Sequence, residues 1–244
     1  MEGRLEVEEK KYLDFLAKLG ISSAHPGGMA LTKMLLNYVK LHPSERILDV
    51  GCGTGETSVY IAQNFGSHVV AVDNHPLMVA RAKERIKRAG VPVELHQANV
   101  EELPFQVGSF DKVLAESVTV FTDIKKALKE YNRVLKPGGR LIDVEMTSER
   151  FLTPIEESEI KKVYGINNVL TASQWEDALR RAGFQYIEVH HGIDFLQYNT
   201  EVSSAPSIDL SQAMDEEAFQ VWLDHIQIMD KYKELNYRIY IAQA

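Results

Sequence analysis

Cysteine is nearly missing from this chain: Cys52 is the single one in 244 residues. One thiol closes no internal disulfide, and no cysteine cluster exists to hold zinc or an iron–sulfur centre, so no metal is expected and a reducing cytoplasm is the expected location. Long apolar runs are missing too. No stretch approaches the about 20 apolar residues that cross a bilayer. The opening Met1-Glu2-Gly3-Arg4-Leu5-Glu6 is acidic, unlike a secretory leader, and no membrane partner is expected. Positive charge is in deficit, with 27 Lys and Arg against 35 Asp and Glu and a net charge of −8. A polyanion is repelled overall by such a surface, so nucleic acid is not an expected partner. Repeats and low-complexity tracts are lacking as well.

What is present is an ordinary globular composition, 45% hydrophobic and 25% charged. A chain of this length buries a core without staples. Helix-period apolar spacing marks residues 6–19, closed by Gly20, and 29–41, broken by Pro43. From Arg46 the pattern changes to short apolar runs that alternate with helices. Strands are expected at 46–50, 69–72, 93–97, 110–115, 141–146, 184–190 and 237–241. Helices fall at 57–65, from the Asn74-His75-Pro76 cap to Gly90, at 124–135, 173–182 and 213–233. This order implies an α/β doubly wound, Rossmann-like sheet of seven strands, mostly parallel. Ligands of such sheets bind beyond the carboxyl ends of the strands, beside the first strand. A single domain is expected, with its binding core at 45–146. The segments 1–44, 147–172 and 193–235 fall outside that core and are candidates for helical caps over an acceptor pocket.

The first strand runs into Asp49-Val50-Gly51-Cys52-Gly53-Thr54-Gly55, and a carboxylate, Asp73, ends the second strand 22 residues after Gly51. That interval suits a carboxylate that holds a ribose. The loop is G-x-G-x-G with Glu56 in the sixth position, whereas a pyrophosphate-binding loop has glycine there. Asp49 and Glu56 oppose a pyrophosphate but suit a ligand that carries an ammonium and a sulfonium. This charge logic favours S-adenosylmethionine over NAD.

The stretch Ile47 to Gly55 resembles the first motif of class I S-adenosylmethionine-dependent methyltransferases. Val72-Asp73 resembles their ribose site, and Ala98 to Phe105 their adenine loop. Ser109 to Val113 is similar to their fourth-strand motif, and Arg133 to Gly139 to their turn into the fifth strand. These pieces cover roughly residues 45–145. The similarity is greatest to small-molecule enzymes, the ubiquinone/menaquinone-type and phosphoethanolamine methyltransferases. Ile21-Ser22-Ser23 with Gly27-Gly28 and Thr32 is similar to a segment of the latter. The chain departs at Asn99, where aspartate is commoner.

The resemblance implies a last strand that runs antiparallel and a cofactor site built from named positions. Asp49 would face the methionine moiety; Gly51, Cys52 and Gly53 would present the loop; Asp73 would accept both ribose hydroxyls. Asn74 would neighbour the adenine, which Asn99 and Val100 would clasp. Glu116 and Ser117 would face the methionine end and the acceptor. Taken singly, Asp49 reads equally as a turn cap, Asp73 as the cap of the next helix and Glu116 as a solvated loop residue. Cys52 reads as a small loop residue rather than a nucleophile, since no histidine is placed beside it.

Methyl transfer from a sulfonium is an in-line displacement whose leaving thioether is neutral. The enzyme must align the partners and exclude water, and needs a base only for an acceptor that loses a proton. Glu116 and His25 are the catalytic candidates; Glu145 and the pair His190-His191 are further possible bases. His25 reads alternatively as an exposed loop histidine. Tyr12, Phe15, Trp175, Phe195, Tyr198 and Trp222 lie outside the cofactor core and read as packing or as acceptor-pocket residues. No Asn/Asp-Pro-Pro-Tyr motif follows the fourth strand, and neither a Pro-Cys nucleophile nor an arsenite-binding thiol set is present. A small-molecule acceptor remains, methylated on N, O or C, with the oligomeric state open. Two other functions are the alternatives: a non-catalytic S-adenosylmethionine binder, which the glycine motifs do not exclude, and an NAD-dependent oxidoreductase, which would need the wider glycine spacing and a less acidic loop.

Overall fold

Arg46–Val50 (β1) is a five-residue apolar strand with neighbours on both sides. Its side chains alternate, so Leu48 and Val50 enter one core and Ile47 the other. The computed structural model describes residues 11–192, 194 and 215–244. Around β1 stand His68–Asp73 (β2), Val93–Gln97 (β3), Phe110–Glu116 (β4), Leu135–Ser148 (β5), Gln185–His191 (β6) and Leu235–Gln243 (β7). They form a seven-stranded sheet in the order β3-β2-β1-β4-β5-β7-β6. Strands β1 to β5 pair in parallel, and β7 runs antiparallel between β5 and β6. The doubly wound sheet with a reversed last strand is the architecture expected above.

The helices are Lys11–Lys18 (α1), Gly28–Tyr38 (α2), Glu56–Asn64 (α3), Pro76–Ala89 (α4), Ile124–Val134 (α5), Pro154–Tyr164 (α6), Ala172–Ala182 (α7) and Glu216–Lys231 (α8). Leu31, Leu35 and Leu36 of α2 pack with Ile61 of α3 on one face of the sheet. Leu128 and Tyr131 of α5 and Trp175 of α7 fill the other face. Segment 1–44 therefore divides: α2 is a layer of the sheet, while Phe15 of α1 and Leu19 just after it pack against Ala218 and Val221 of α8. Among the described residues no helix is long and apolar enough to cross a membrane.

Several boundaries differ from the sequence reading. Strand β5 starts at Leu135 instead of Leu141, because Leu135 pairs with Phe110 before the irregular Lys136-Pro137-Gly138-Gly139 stretch and regular pairing resumes at Arg140. At its other end Ser148 pairs with Leu235, which lengthens both β5 and β7. Helix α6 went unread within 147–172, although its start is marked by Thr153, Pro154 and Glu156. The Thr153 hydroxyl accepts the Glu156 N–H and the Glu156 carboxylate accepts the Thr153 N–H, a reciprocal cap with proline in the first turn. Residues 6–10, Phe195 and Tyr198 lie outside the described residues.

Candidate functional site

The carboxyl ends of β1, β2 and β4 open into a cavity of about 740 Å³, roofed by α1 and α8. The loop after β1 forms its floor. Gly51 has φ +61°, and a Cβ there would stand 2.4 Å from Val118 Cγ2, so both backbone conformation and space demand glycine. Gly53 has φ +54° with open space where its Cβ would stand, so bare backbone faces the cavity. The Cys52 N–H donates to the Val72 carbonyl at 2.9 Å and fastens the loop to β2. The Cys52 thiol is buried, and burial together with the Asp49 and Asp73 charges pushes its pKa up, which disfavours a thiolate nucleophile.

Asp73 ends β2. Its Oδ2 accepts the Gly53 N–H at 2.8 Å and its Oδ1 accepts the His75 N–H at 2.8 Å. Burial raises its pKa, and these backbone donors oppose the shift. The cap of α4 is His75, which accepts the Leu77 N–H, so Asp73 is not the helix cap. Asn74, Asn99 and the buried Val100 line the same end of the cavity. The Asn99 Oδ1 already accepts the Glu101 N–H at 3.0 Å in a local turn.

Asp49 is buried beneath the loop, and Ser58 of α3 donates a hydrogen bond to it. Its pKa is raised to about 7, chiefly by burial; the Ser58 hydroxyl opposes the rise and the charges of Glu116 and Asp73 add to it. Asp49 is thus no surface turn cap. A cation in the cavity would draw it back toward the ionised form.

Glu116 closes β4 and is held, not solvated. Its Oε1 accepts the Thr32 hydroxyl of α2 at 2.6 Å, and its Oε2 accepts the Thr57 hydroxyl of α3 at 2.9 Å. His25 is buried beside it, with Nε2 at 3.1 Å from Thr32 Oγ1 and 3.6 Å from Glu116 Oε1. The exposed-loop alternative for His25 is therefore wrong. The reason is local: the Gly27-Gly28 turn starts α2 over the site and carries His25 inward with it. Ser117 follows at φ +57°, its N–H donating to the Val144 carbonyl at 2.7 Å.

Three other base candidates are placed elsewhere. Glu145 does not line the cavity. It is fully buried and accepts the N–H groups of Val118, Thr119 and Val120 at 2.9, 2.7 and 3.2 Å, anchoring the turn after β4. Its neighbour Asp143 receives the Thr119 hydroxyl, and burial raises the pKa of both carboxyls, Glu145 to about 7. His190 and His191 stand on β6 at the sheet edge, away from the cavity, where His190 meets the Tyr38 ring edge-on.

Sequence reasoning overlooked Thr32 and Thr57 as partners of Glu116, and also the far wall of the cavity. Phe121, Tyr164 and His225 join Tyr12 there, and Tyr237 lines the cavity from the other face of the sheet. Of the other aromatics, Trp175 is fully buried and donates its ring N–H to the Met146 carbonyl at 3.0 Å, whereas Trp222 is exposed. No linear signal marks the far wall, because its members come from α1, the turn after β4, α6, α8 and β7.

Asp49, Glu56, Asp73, Glu101 and Glu116 all line the cavity, and among the described residues no Lys or Arg does. A methyltransferase-domain family matches residues 47–139, the span from β1 into β5. An uncharacterized methyltransferase of Bacillus subtilis, YodH, is 36% identical over 95% of this chain and 98% of its own length. The chain belongs to the methyltransferase family. This methyltransferase is also 38% identical, over 47% of its length and 46% of the relative, to the ubiquinone/menaquinone biosynthesis C-methyltransferase UbiE of Vibrio cholerae. In three dimensions it resembles Haemonchus contortus phosphoethanolamine N-methyltransferase 2, with a TM-score of 0.70, 21% identity and coverage of 88% of this chain and 52% of that one. That solved protein is in complex with phosphomonomethylethanolamine and S-adenosylhomocysteine. The expected family and fold are both found.

Proposed function

We propose that the cavity binds S-adenosylmethionine over the Gly51–Gly55 loop and transfers its methyl group to a small-molecule acceptor by in-line displacement. The observation that carries this reading is the charge of the lining: five carboxylates, without Lys or Arg among the described residues, surround a bare glycine loop. A diphosphate would meet repulsion there, whereas a phosphate-free nucleoside with an ammonium and a sulfonium meets complementary charge. Structural neighbours with bound S-adenosylmethionine or S-adenosylhomocysteine, and the methyltransferase relatives, support the same donor.

When bound, S-adenosylmethionine would supply an electrophilic methyl group on a sulfonium with a neutral leaving group. Asp73 would hold the ribose with the lone pairs its two backbone donors leave free. Asn74 and Val100 would flank the adenine, and Asn99 would offer its amide N–H groups, its carbonyl being engaged with Glu101. Asp49 would contribute negative charge toward the ammonium. Gly51, Cys52 and Gly53 would form the floor, and Ser117 would border the methionine end. Glu116, immobilised by Thr32 and Thr57, would accept a proton from an acceptor that ionises during attack, with His25 beside it as the alternate site for that proton. The roof formed by α1 and α8 would exclude water.

Calorimetry with S-adenosylmethionine, S-adenosylhomocysteine and NADH tests the donor. Binding of the first two and not of NADH is expected; a preference for NADH overturns the reading. A metabolite pool incubated with isotopically labelled donor then tests turnover. Acceptor-dependent release of S-adenosylhomocysteine is expected, and its absence across the pool would favour a binding role without catalysis.

A further inference from the structure

We propose that the acceptor is an uncharged molecule with an aromatic or similarly flat apolar body, seated against the wall formed by Tyr12, Phe121, Tyr164 and His225. This rests on the methyl-transfer reading above. The cavity has two chemically distinct halves. Its carboxylates all come from β1, α3, β2, the loop after β3, and β4, which is the half that holds the glycine loop. The opposite half is contributed by α1, the turn after β4, α6, α8 and β7, and among its described residues no Lys, Arg, Asp or Glu lines the cavity.

That half is walled by rings. Tyr12 lies parallel to Phe121 with centroids 6.0 Å apart and an interplanar angle of 12°. Tyr164 meets Tyr12 edge-on at 5.0 Å, and His225 stands 5.8 Å from Tyr12. Such an array presents faces and edges that favour a planar guest. The polar groups are few and neutral. The Tyr164 hydroxyl and His225 Nδ1 are hydrogen-bonded at 2.9 Å, and burial lowers the His225 pKa, so the imidazole stays uncharged near neutral pH. Asn236 adds an amide. A pocket with apolar walls and a few oriented polar groups selects a neutral ligand by shape and hydrogen bonding.

A phosphate or carboxylate placed here would lose its water, gain no Lys or Arg among the described lining residues and face the carboxylates across the cavity. An ammonium compound would lose its water too and find no carboxylate among the described residues of the ring-lined side.

The test uses the full chain and three naphthalene probes that differ in charge: 2-naphthol, 2-naphthyl phosphate and 2-naphthylmethylamine. Each is titrated by calorimetry into the free protein and into protein saturated with S-adenosylhomocysteine. At least tenfold tighter binding of 2-naphthol than of either charged probe is expected. Phe121→Ala should weaken 2-naphthol binding by about twofold to tenfold, the range of one aromatic pair. Equal or tighter binding of a charged probe, no binding of 2-naphthol, or an unchanged affinity in a folded Phe121→Ala protein would overturn the proposal. The S-adenosylhomocysteine titration stands apart from these: its failure sinks the donor assignment, while the charge preference is still read from the probes on the free protein.

Discussion

Asp73 reaches back from the end of β2 to take the Gly53 N–H at 2.8 Å. One carboxylate thereby shapes the loop and faces the cavity that the loop floors. Asp73→Ala should weaken S-adenosylmethionine binding by about 1–3 kcal/mol through lost charge-assisted hydrogen bonds. Calorimetry reads this directly. An unchanged dissociation constant would remove Asp73 from the ribose site.

Thr32 stands between His25 and Glu116, 3.1 Å from one and 2.6 Å from the other. Thr32→Val deletes the hydroxyl but keeps the branched shape. A turnover loss of roughly tenfold to a hundredfold is expected, equivalent to about 1.5–3 kcal/mol for a hydrogen bond to a charged group. Thr32→Ser should restore the rate, and the pH–rate profile should shift in the valine variant alone. Identical profiles in the two variants would leave Thr32 a packing role.

Burial holds the Asp49 pKa up at about 7. A cationic ligand favours its ionised form, so binding below that value must release a proton. Affinity for S-adenosylmethionine should therefore rise from pH 6 to pH 8, and Asp49→Asn should flatten the rise. Titrations at several pH values, in buffers of different ionisation enthalpy, measure both the affinity and the released proton. A flat profile in the native protein would contradict the assignment.

Asp143 and Glu145 are buried acids with raised pKa values. The folded state holds protons that the unfolded state has released above about pH 4, so its stability falls as pH rises through the folded values. Melting temperature should drop between pH 6 and pH 8. Asp143→Asn should reduce that drop, with about 2–4 °C recovered per kcal/mol for a chain of this size. Equal drops in native and variant proteins would show that the pair does not govern this dependence.

Much of the cofactor half was legible because its parts are contiguous. Strand, glycine turn and helix follow one another within Arg46–Asn64, and Asp73 ends the next strand. Short-range patterning therefore exposes both the fold and the donor. The capping signals of α6, Thr153, Pro154 and Glu156, are equally local and specify a helix inside a segment that the sequence reading marks only as a helical-cap candidate. The misplaced bases, Glu145, His190 and His191, share another cause. A titratable side chain in a list of residues carries no direction, and β5 and β6 place these three away from the cavity.

The chain's own order of residues determined the alternating elements, the glycine turn and the Asp49 and Glu56 carboxylates that flank it, since each depends on neighbours a few positions apart. Tertiary packing alone decided that Thr32 and Thr57, on two different helices, grip Glu116, and that rings from α1, the turn after β4, α6 and α8 share one wall. Those contacts join residues scattered along the chain, and their partners are chosen by which helix faces fit together over the sheet.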